Sequence, residues 1–271
     1  MRRRLTAVLV WMACPALHAQ TFDAASVKPV PSAQWPMAPK RDPGRAHYSA
    51  ASLKNLLMEA YDLGLAFELS GPNWLDSSSF EIDVTMPPGT TGAQFRVMLR
   101  NLLAERFHLA VHREDRQLQA YSLTLAKSGP KMKASGPGPA ASDTGPIDRP
   151  ARVEVGPDGF IDLPLPPGRP ILRTQRGPGR ARLQAQRQTM QDLAQHLAFV
   201  LNAPVTDATG LSGAYDFVVV YAGEGPIQPD GDPLPDLFSA IQTQLGLRLE
   251  KTKASAAILV VDRVDRSPVP N

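Results

Sequence analysis

After Cys14 the sequence contains no further cysteine. If the first residues are removed on export, the mature chain has no disulfide, no thiolate metal ligand and no cysteine nucleophile. A surplus of one charge is also missing. The whole chain has 29 Lys+Arg against 26 Asp+Glu, and residues 1–20 hold three Arg and no acid, which leaves 26 against 26. A nucleic-acid binder would want a basic excess, so that class is excluded. Long apolar runs are absent too. Leu5 to Ala13 is too short to span a bilayer, and no later segment is long enough, so no transmembrane segment is expected after the N-terminal stretch.

That stretch has its own layout. Arg2, Arg3 and Arg4 give a positive region, Leu5 to Ala13 an apolar core, and Leu17-His18-Ala19-Gln20 a small residue at a plausible cleavage point. This predicts a signal peptide over 1–20, cut after Ala19 or Gln20, and an exported protein, periplasmic or secreted. Trp11 stands where a lipoprotein signal needs Leu or Val three residues before Cys14.

Proline and glycine are in excess. Pro 27 and Gly 20 make 47 of 271 residues, about 17% against a usual 12%. Much of this lies between Ser128 and Gly179, where no continuous helix or central strand is expected. We read 128–178 as a surface excursion between two compact units, 21–127 and 179–271, with Val153 to Leu165 as an isolated strand or hairpin within it.

The pattern within the units is helix, strand, helix, strand, strand. Phe95, Met98, Leu99, Leu102 and Leu103 sit at i, i+3, i+4, i+7 and i+8, an amphipathic stripe. Leu109 and Val111, then Tyr121, Leu123 and Leu125, alternate as in strands, with Glu114-Asp115-Arg116 expected as the turn of a hairpin. Leu234, Phe238, Ile241 and Leu245 mark a second such helix, Gly246 its left-handed end, and Leu247–Leu249 with Ile258–Val261 a second hairpin. Earlier in each half, Gly44-Arg45-Ala46-His47 and Gly179-Arg180-Ala181-Arg182 precede helices carrying Leu53, Leu56, Leu57, Ala60 and Met190, Leu193, Ala194, Leu197. Strands Phe80–Val84 and Tyr215–Val219 follow, and Phe22 to Val27 can add a first strand. The order occurs twice at nearly constant offset, which predicts an internal duplication and an α+β fold with helices on mostly antiparallel sheet.

The segments FDAASVKP, LLAERFHLAVHREDRQLQAYSLTLAKSGPKMK, VTDATGLSGAYDF and LFSAIQTQLGLRLEKTKASAAILVVDRVDRSPVPN together resemble an uncharacterised exported family abundant in soil bacteria, defined by a domain of unknown function. The resemblance covers nearly all of the mature chain. It implies no activity and no catalytic residues. Some relatives carry the domain attached to a membrane metallopeptidase of the antibiotic-sensor type, which implies a sensing or interaction role. Each half is also similar in pattern to the short periplasmic domains of secretins and outer-membrane transporters, a likeness of class rather than function.

Several residues could carry chemistry, and each has a plainer reading. His108 and His112 are spaced as zinc ligands on a helix, but Leu109 replaces the Glu of a zincin, and the repeat makes His108 a helix-ending residue with His112 on the next strand. Gly210-Leu211-Ser212-Gly213-Ala214 lacks the last Gly of a nucleophile elbow, and Ser128-Gly129-Pro130-Lys131 has the serine–lysine spacing but no helix to open. Glu81 and Asp83 share a strand face, as an acid–base pair or as a solvated sheet surface. Arg169, Arg173, Arg176, Arg180, Arg182 and Arg187 could meet anionic lipid or polysaccharide, or solubilise a linker. Trp35 and Trp74, beside prolines, could form an aromatic contact surface or pack under loops. The leading expectation is a non-catalytic envelope or secreted binding module with no cofactor and an unknown envelope partner. The alternatives are an extracytoplasmic sensor domain and, third, an enzyme with an unrecognised carboxylate site.

Overall fold

The structure, a computed structural model, describes residues 21–31, 39–136, 156, 160–161, 165, 168–225 and 233–270. Residues 1–20, expected as a signal peptide and including Cys14, lie outside the described residues, as do Trp35 and nearly all of 153–165. Among those described, no helix is long and apolar enough to cross a membrane.

The fold is α+β. Two compact units divide the chain: residues 1–64, 71–112 and 260–271 form one, and 65–70 with 113–259 form the other. The boundaries read from the sequence were contiguous; these units interleave.

In the first unit, β1 (Ala24–Val30), β2 (Lys40–Asp42), β3 (Arg45–Ser52) and β5 (Ser79–Thr85) form an antiparallel sheet of order β1-β5-β3-β2. Pro43-Gly44, with Gly44 at φ 84°, makes the turn between β2 and β3. The sequence reading passed over β3 and began the unit with a helix. Alternation along β5 buries Phe80, Ile82 and Val84. On them pack α1 (Leu53–Ala60), capped by the Ser52 hydroxyl, and α2 (Gly92–Phe107), capped by Thr91 and Gln94 in a capping box. The expected stripe of α2 is buried, Leu99 and Leu103 fully. Phe107 meets Phe80 edge-on at 4.9 Å. His108 ends α2 in the left-handed region, φ 47°.

In the second unit, β7 (Lys133–Ala134), β8 (Ile171–Gly177), β9 (Arg180–Gln188) and β11 (Tyr215–Ala222) form a sheet of order β7-β11-β9-β8. Pro178-Gly179 turns β8 into β9, so Ile171–Gly177 is a sheet strand rather than linker. The helices are α3 (Met190–Leu201), capped by Thr189 with Asp192, and α4 (Leu237–Ala240), continued by a π-turn, Ile241–Leu245, that ends at Gly246 with φ 67°. Helix α4 starts later than the apolar spacing suggested. The Asp236 carboxylate accepts from Phe238 and Ser239 N–H, which caps the helix there and leaves Leu234 outside it, partly exposed. The core joins Leu183, Leu193, Leu197, Val219, Ile241 and Leu247.

A third sheet has the order β10-β6-β12-β4, with β4 (Leu69–Ser70), β6 (Ala110–Leu125), β10 (Val205–Asp207) and β12 (Leu247–Arg263). Here two expectations fail. Each expected hairpin is one long strand, of 16 residues in β6 and 17 in β12. Glu114-Asp115-Arg116 lies mid-strand. The run from Arg113 to Gln119 is polar because it is largely exposed, not because it turns; it contains no Gly, Pro or Asn to reverse the chain. The same holds for Glu250 to Ala257.

The three sheet orders are related by number. Adding six to each strand of β1-β5-β3-β2 gives β7-β11-β9-β8, and the same shift maps β4 onto β10 and β6 onto β12.

One polar cluster ties the second unit's sheet together. The Asp216 carboxylate accepts from the Ser135 hydroxyl at 2.6 Å and from the Arg187 N–H at 2.8 Å. The Ser135 bond first, then the Arg187 bond and nearby cations, outweigh burial and hold the Asp216 carboxyl below the usual range. A depressed folded value adds stability above the unfolded carboxylate pKa and loses it as pH falls through the folded one. Asp216→Asn should therefore flatten the acid loss of stability as pH falls below the ordinary carboxylate range, about pH 4, read by denaturant melts. An unchanged acid slope would deny the carboxylate this role.

Candidate binding groove

The second unit carries an open groove of about 580 Å³, within the range of small-ligand and peptide sites. One wall is α3, presenting Gln191, Ala194, Gln195 and Ala198. These alternate by three and four residues, so they lie on one helical face next to the core stripe of Leu193 and Leu197. Opposite are Leu65 and Phe67, the latter in a 3-10 turn, Ala66–Glu68, held by the Glu68 carboxylate on the Leu65 N–H at 3.1 Å. The remaining wall is Pro204 and β10. The left-handed Asn202, φ 47°, turns α3 back into β10. Phe199, one helical turn after Gln195, stands 61% exposed.

The groove's chemistry is apolar and amide. Its one charge is Asp207, and that carboxylate accepts the N–H and the hydroxyl of Thr209, at 2.9 and 2.8 Å. Among the described residues no nucleophile–base pair and no facing carboxylates line it.

Elsewhere on α3, His196 bonds Thr174 of β8 through Nε2 at 2.8 Å. Burial, then the Arg176 charge, lowers its pKa, so the imidazole is held neutral. Burial likewise raises the Tyr221 hydroxyl. This trio of polar side chains edges the core and does not line the groove.

The residues singled out from the sequence fall in separate places. His108 pairs with Asp265 at 2.7 Å and His112 with Asp262 at 2.8 Å, each imidazole on its own carboxylate. Among the described residues no group of three or more His, Cys, Asp or Glu is placed to hold a metal. Asp83 pairs with His47 at 2.9 Å on the sheet face opposite Ile82 and Val84, and Glu81 stands on the same face across from Lys28. Gly210 and Gly213, φ 68° and 98°, form the turn that enters β11, and the Ser212 carbonyl accepts from Tyr215. Ser128 and Lys131 lie in the loop after β6, where the Lys131 ammonium donates to the Thr243 carbonyl at 2.8 Å. Arg173, Arg176, Arg180, Arg182 and Arg187 sit on the β8–β9 hairpin. Trp74 is half-buried, with the Arg266 guanidinium 5.9 Å from its ring.

Sequence reasoning missed the groove. Its residues bring one charge, that of Asp207, and come from three separate segments, and only the spacing of Ala194 and Ala198 with two glutamines marked α3 as having a second, weakly polar face.

An α+β chain with a groove beside a short edge strand is the class this geometry defines. Residues 54–264 match the family described as "Protein of unknown function (DUF3738)", and the chain belongs to that family. No curated protein matches the chain, and no solved structure does.

Proposed function

We propose that the protein is an exported, non-catalytic binding module whose working surface is the groove between α3, β10 and the Leu65–Phe67 turn. The observation that carries this reading is the groove's lining: apolar and amide walls with Phe67 among them and a single engaged carboxylate; Phe199, the residue after Ala198 on α3, is exposed. Uncharged walls with an aromatic among them suit reversible association, where an aromatic anchor supplies much of the affinity. Acid–base catalysis would need convergent titratable groups, which the lining lacks.

Export rests on the Arg2–Arg4 region and the short apolar core after it. Mass spectrometry of the exported protein should place its N-terminus near Thr21; a product retaining Met1 would sink the location.

The paired sheet orders, the Pro-Gly turns before β3 and β9, and the left-handed His108 and Gly246 at matching helix ends support descent from one duplicated unit.

The binding reading is tested with a photo-crosslinking side chain at Phe199 in producing cells. An adduct that is absent when the crosslinker replaces Glu105, on the exposed face of α2, is the expected result. Equal labelling at both sites, or none at either, would refute it.

A further inference from the structure

Among the described residues strand β10 has one partner. It pairs in parallel with β6, Val205 opposite Tyr121 and Asp207 opposite Leu123, and it is the last strand of its sheet. Which of its backbone groups face β6 follows from two hydrogen bonds. The Pro204 carbonyl accepts from the Tyr121 N–H at 2.8 Å, and the Ala208 N–H donates to the Leu123 carbonyl at 2.9 Å. Main-chain polar groups alternate sides along a strand. Residues 204, 206 and 208 therefore bond β6, and Val205 and Asp207 turn their N–H and C=O outward. Among the described residues neither outward set has a main-chain partner.

This edge borders the groove. Natural sheet edges are usually blunted by charge, proline or a covering element, because a row of free donors and acceptors templates another strand. Here Pro204 precedes the edge, where its missing N–H costs nothing to the outward row. The one edge carboxylate, Asp207, is folded back onto Thr209. Beside the edge, the exposed Gln191 and Gln195 of α3 and the partly exposed Leu65 and Phe67 line the groove, with Ala194 and Ala198 buried beneath.

We propose that the groove takes an uncharged, extended polypeptide segment, which adds as a strand to the outer edge of β10. The inference rests on the binding reading above and names its ligand class. Two outward residues offer two donors and two acceptors, enough to pair a segment of about three residues, some 10 Å of strand. The segment's side chains alternate, so one apolar residue lies against the partly exposed Phe67 while its neighbours point away. The near-absence of charge in the lining selects a neutral segment: a buried acid would face Asp207, and a buried base would find that carboxylate already engaged.

The probe is a displayed library of random dodecapeptides, selected on the protein beginning at Thr21. Selected peptides are then made with a single backbone N-methyl group at each position in turn, and their affinities measured. Strand addition expects weakening of about tenfold or more at alternate positions and tolerance between them, since each lost edge hydrogen bond and the methyl clash fall on one parity only. Phe199→Ala and, on the exposed lining, Gln195→Glu should weaken binding by about tenfold as well, and Glu105→Ala should not. If peptides bind and respond to Phe199→Ala but N-methylation shows no alternation, strand addition is wrong and the groove remains a side-chain site. If no peptide binds, or binding ignores both groove substitutions, the strand proposal and the binding reading fall together. If the protein self-associates and Val205→Pro dissolves the dimer, a second copy occupies the edge, and the proposal is overturned. The peptide scan keeps the test decisive even where Val205→Pro disturbs folding.

Discussion

Phe107→Ala should destabilise the first unit by about 3–5 kcal/mol, the cost of removing a fully buried aromatic. Phe107 is the last residue of α2 and has no exposed surface. Its ring stands edge-on against Phe80 of β5, 4.9 Å away, and that contact locks the helix end to the sheet. Such ring pairs add about 0.5–1.5 kcal/mol beyond area burial. The neighbouring helix face is indifferent: Glu105 is exposed, with a long 3.7 Å contact to Arg106. Glu105→Ala should shift stability by less than about 0.5 kcal/mol. Denaturant midpoints on the two variants check this. Similar losses at both positions would mean that the helix is rotated from the phase described.

The second large effect is expected at Gly246. It ends the π-turn after α4 at φ 67°, where a side chain costs about 1–2 kcal/mol on backbone grounds. The space is closed as well. A Cβ there would lie 1.8 Å from the Gly129 carbonyl oxygen and 2.9 Å from its carbon, and both atoms are backbone. That loop is pinned on either side, because the Ala126 N–H donates to the Gly246 carbonyl and the Lys131 N–H to the Leu245 carbonyl. Relief requires the loop to move. Gly246→Ala should thus cost roughly 3–5 kcal/mol, strain and overpacking together. The equivalent position in the other half behaves differently. His108 already adopts φ 47° and bonds Asp265, so His108→Gly exchanges a modest strain for a lost exposed pair and should stay within about 1 kcal/mol of neutral. A mild Gly246→Ala, or a severe His108→Gly, would contradict this account of the two helix ends.

Most of the fold was legible because it is written in local periodicity. The stripe from Phe95 to Leu103 and the alternation of Phe80, Ile82 and Val84 each follow from one element burying one face. The helix-ending role of His108 followed from comparing the two halves. The failures have a common cause. Glu114-Asp115-Arg116 looked like a turn because polar residues were equated with reversal, while an exposed antiparallel strand tolerates them equally well. Strands β3 and β9 were overlooked because Ala46, Ala181 and Ala185 are buried positions filled by a weak strand former. The arginines of the β8–β9 hairpin disguised a strand as linker for the same reason. The interleaving of the units could not be read at all, since strand partners are chosen by tertiary contacts that no local pattern encodes. The groove was equally silent: its walls come from residues 65–67, 191–198 and 204–207, none of which carries a chemical signature alone.

The α3–β10 groove is the proposed place where this protein meets its partner. Amide-resolved hydrogen exchange, with and without a library-selected peptide, addresses it most directly. Slowed exchange is expected at Val205 and Asp207, whose outward N–H groups would gain partners, with no change at the Ala24–Val30 edge strand of the first unit. Protection confined to the first unit, or none in β10, would contradict it.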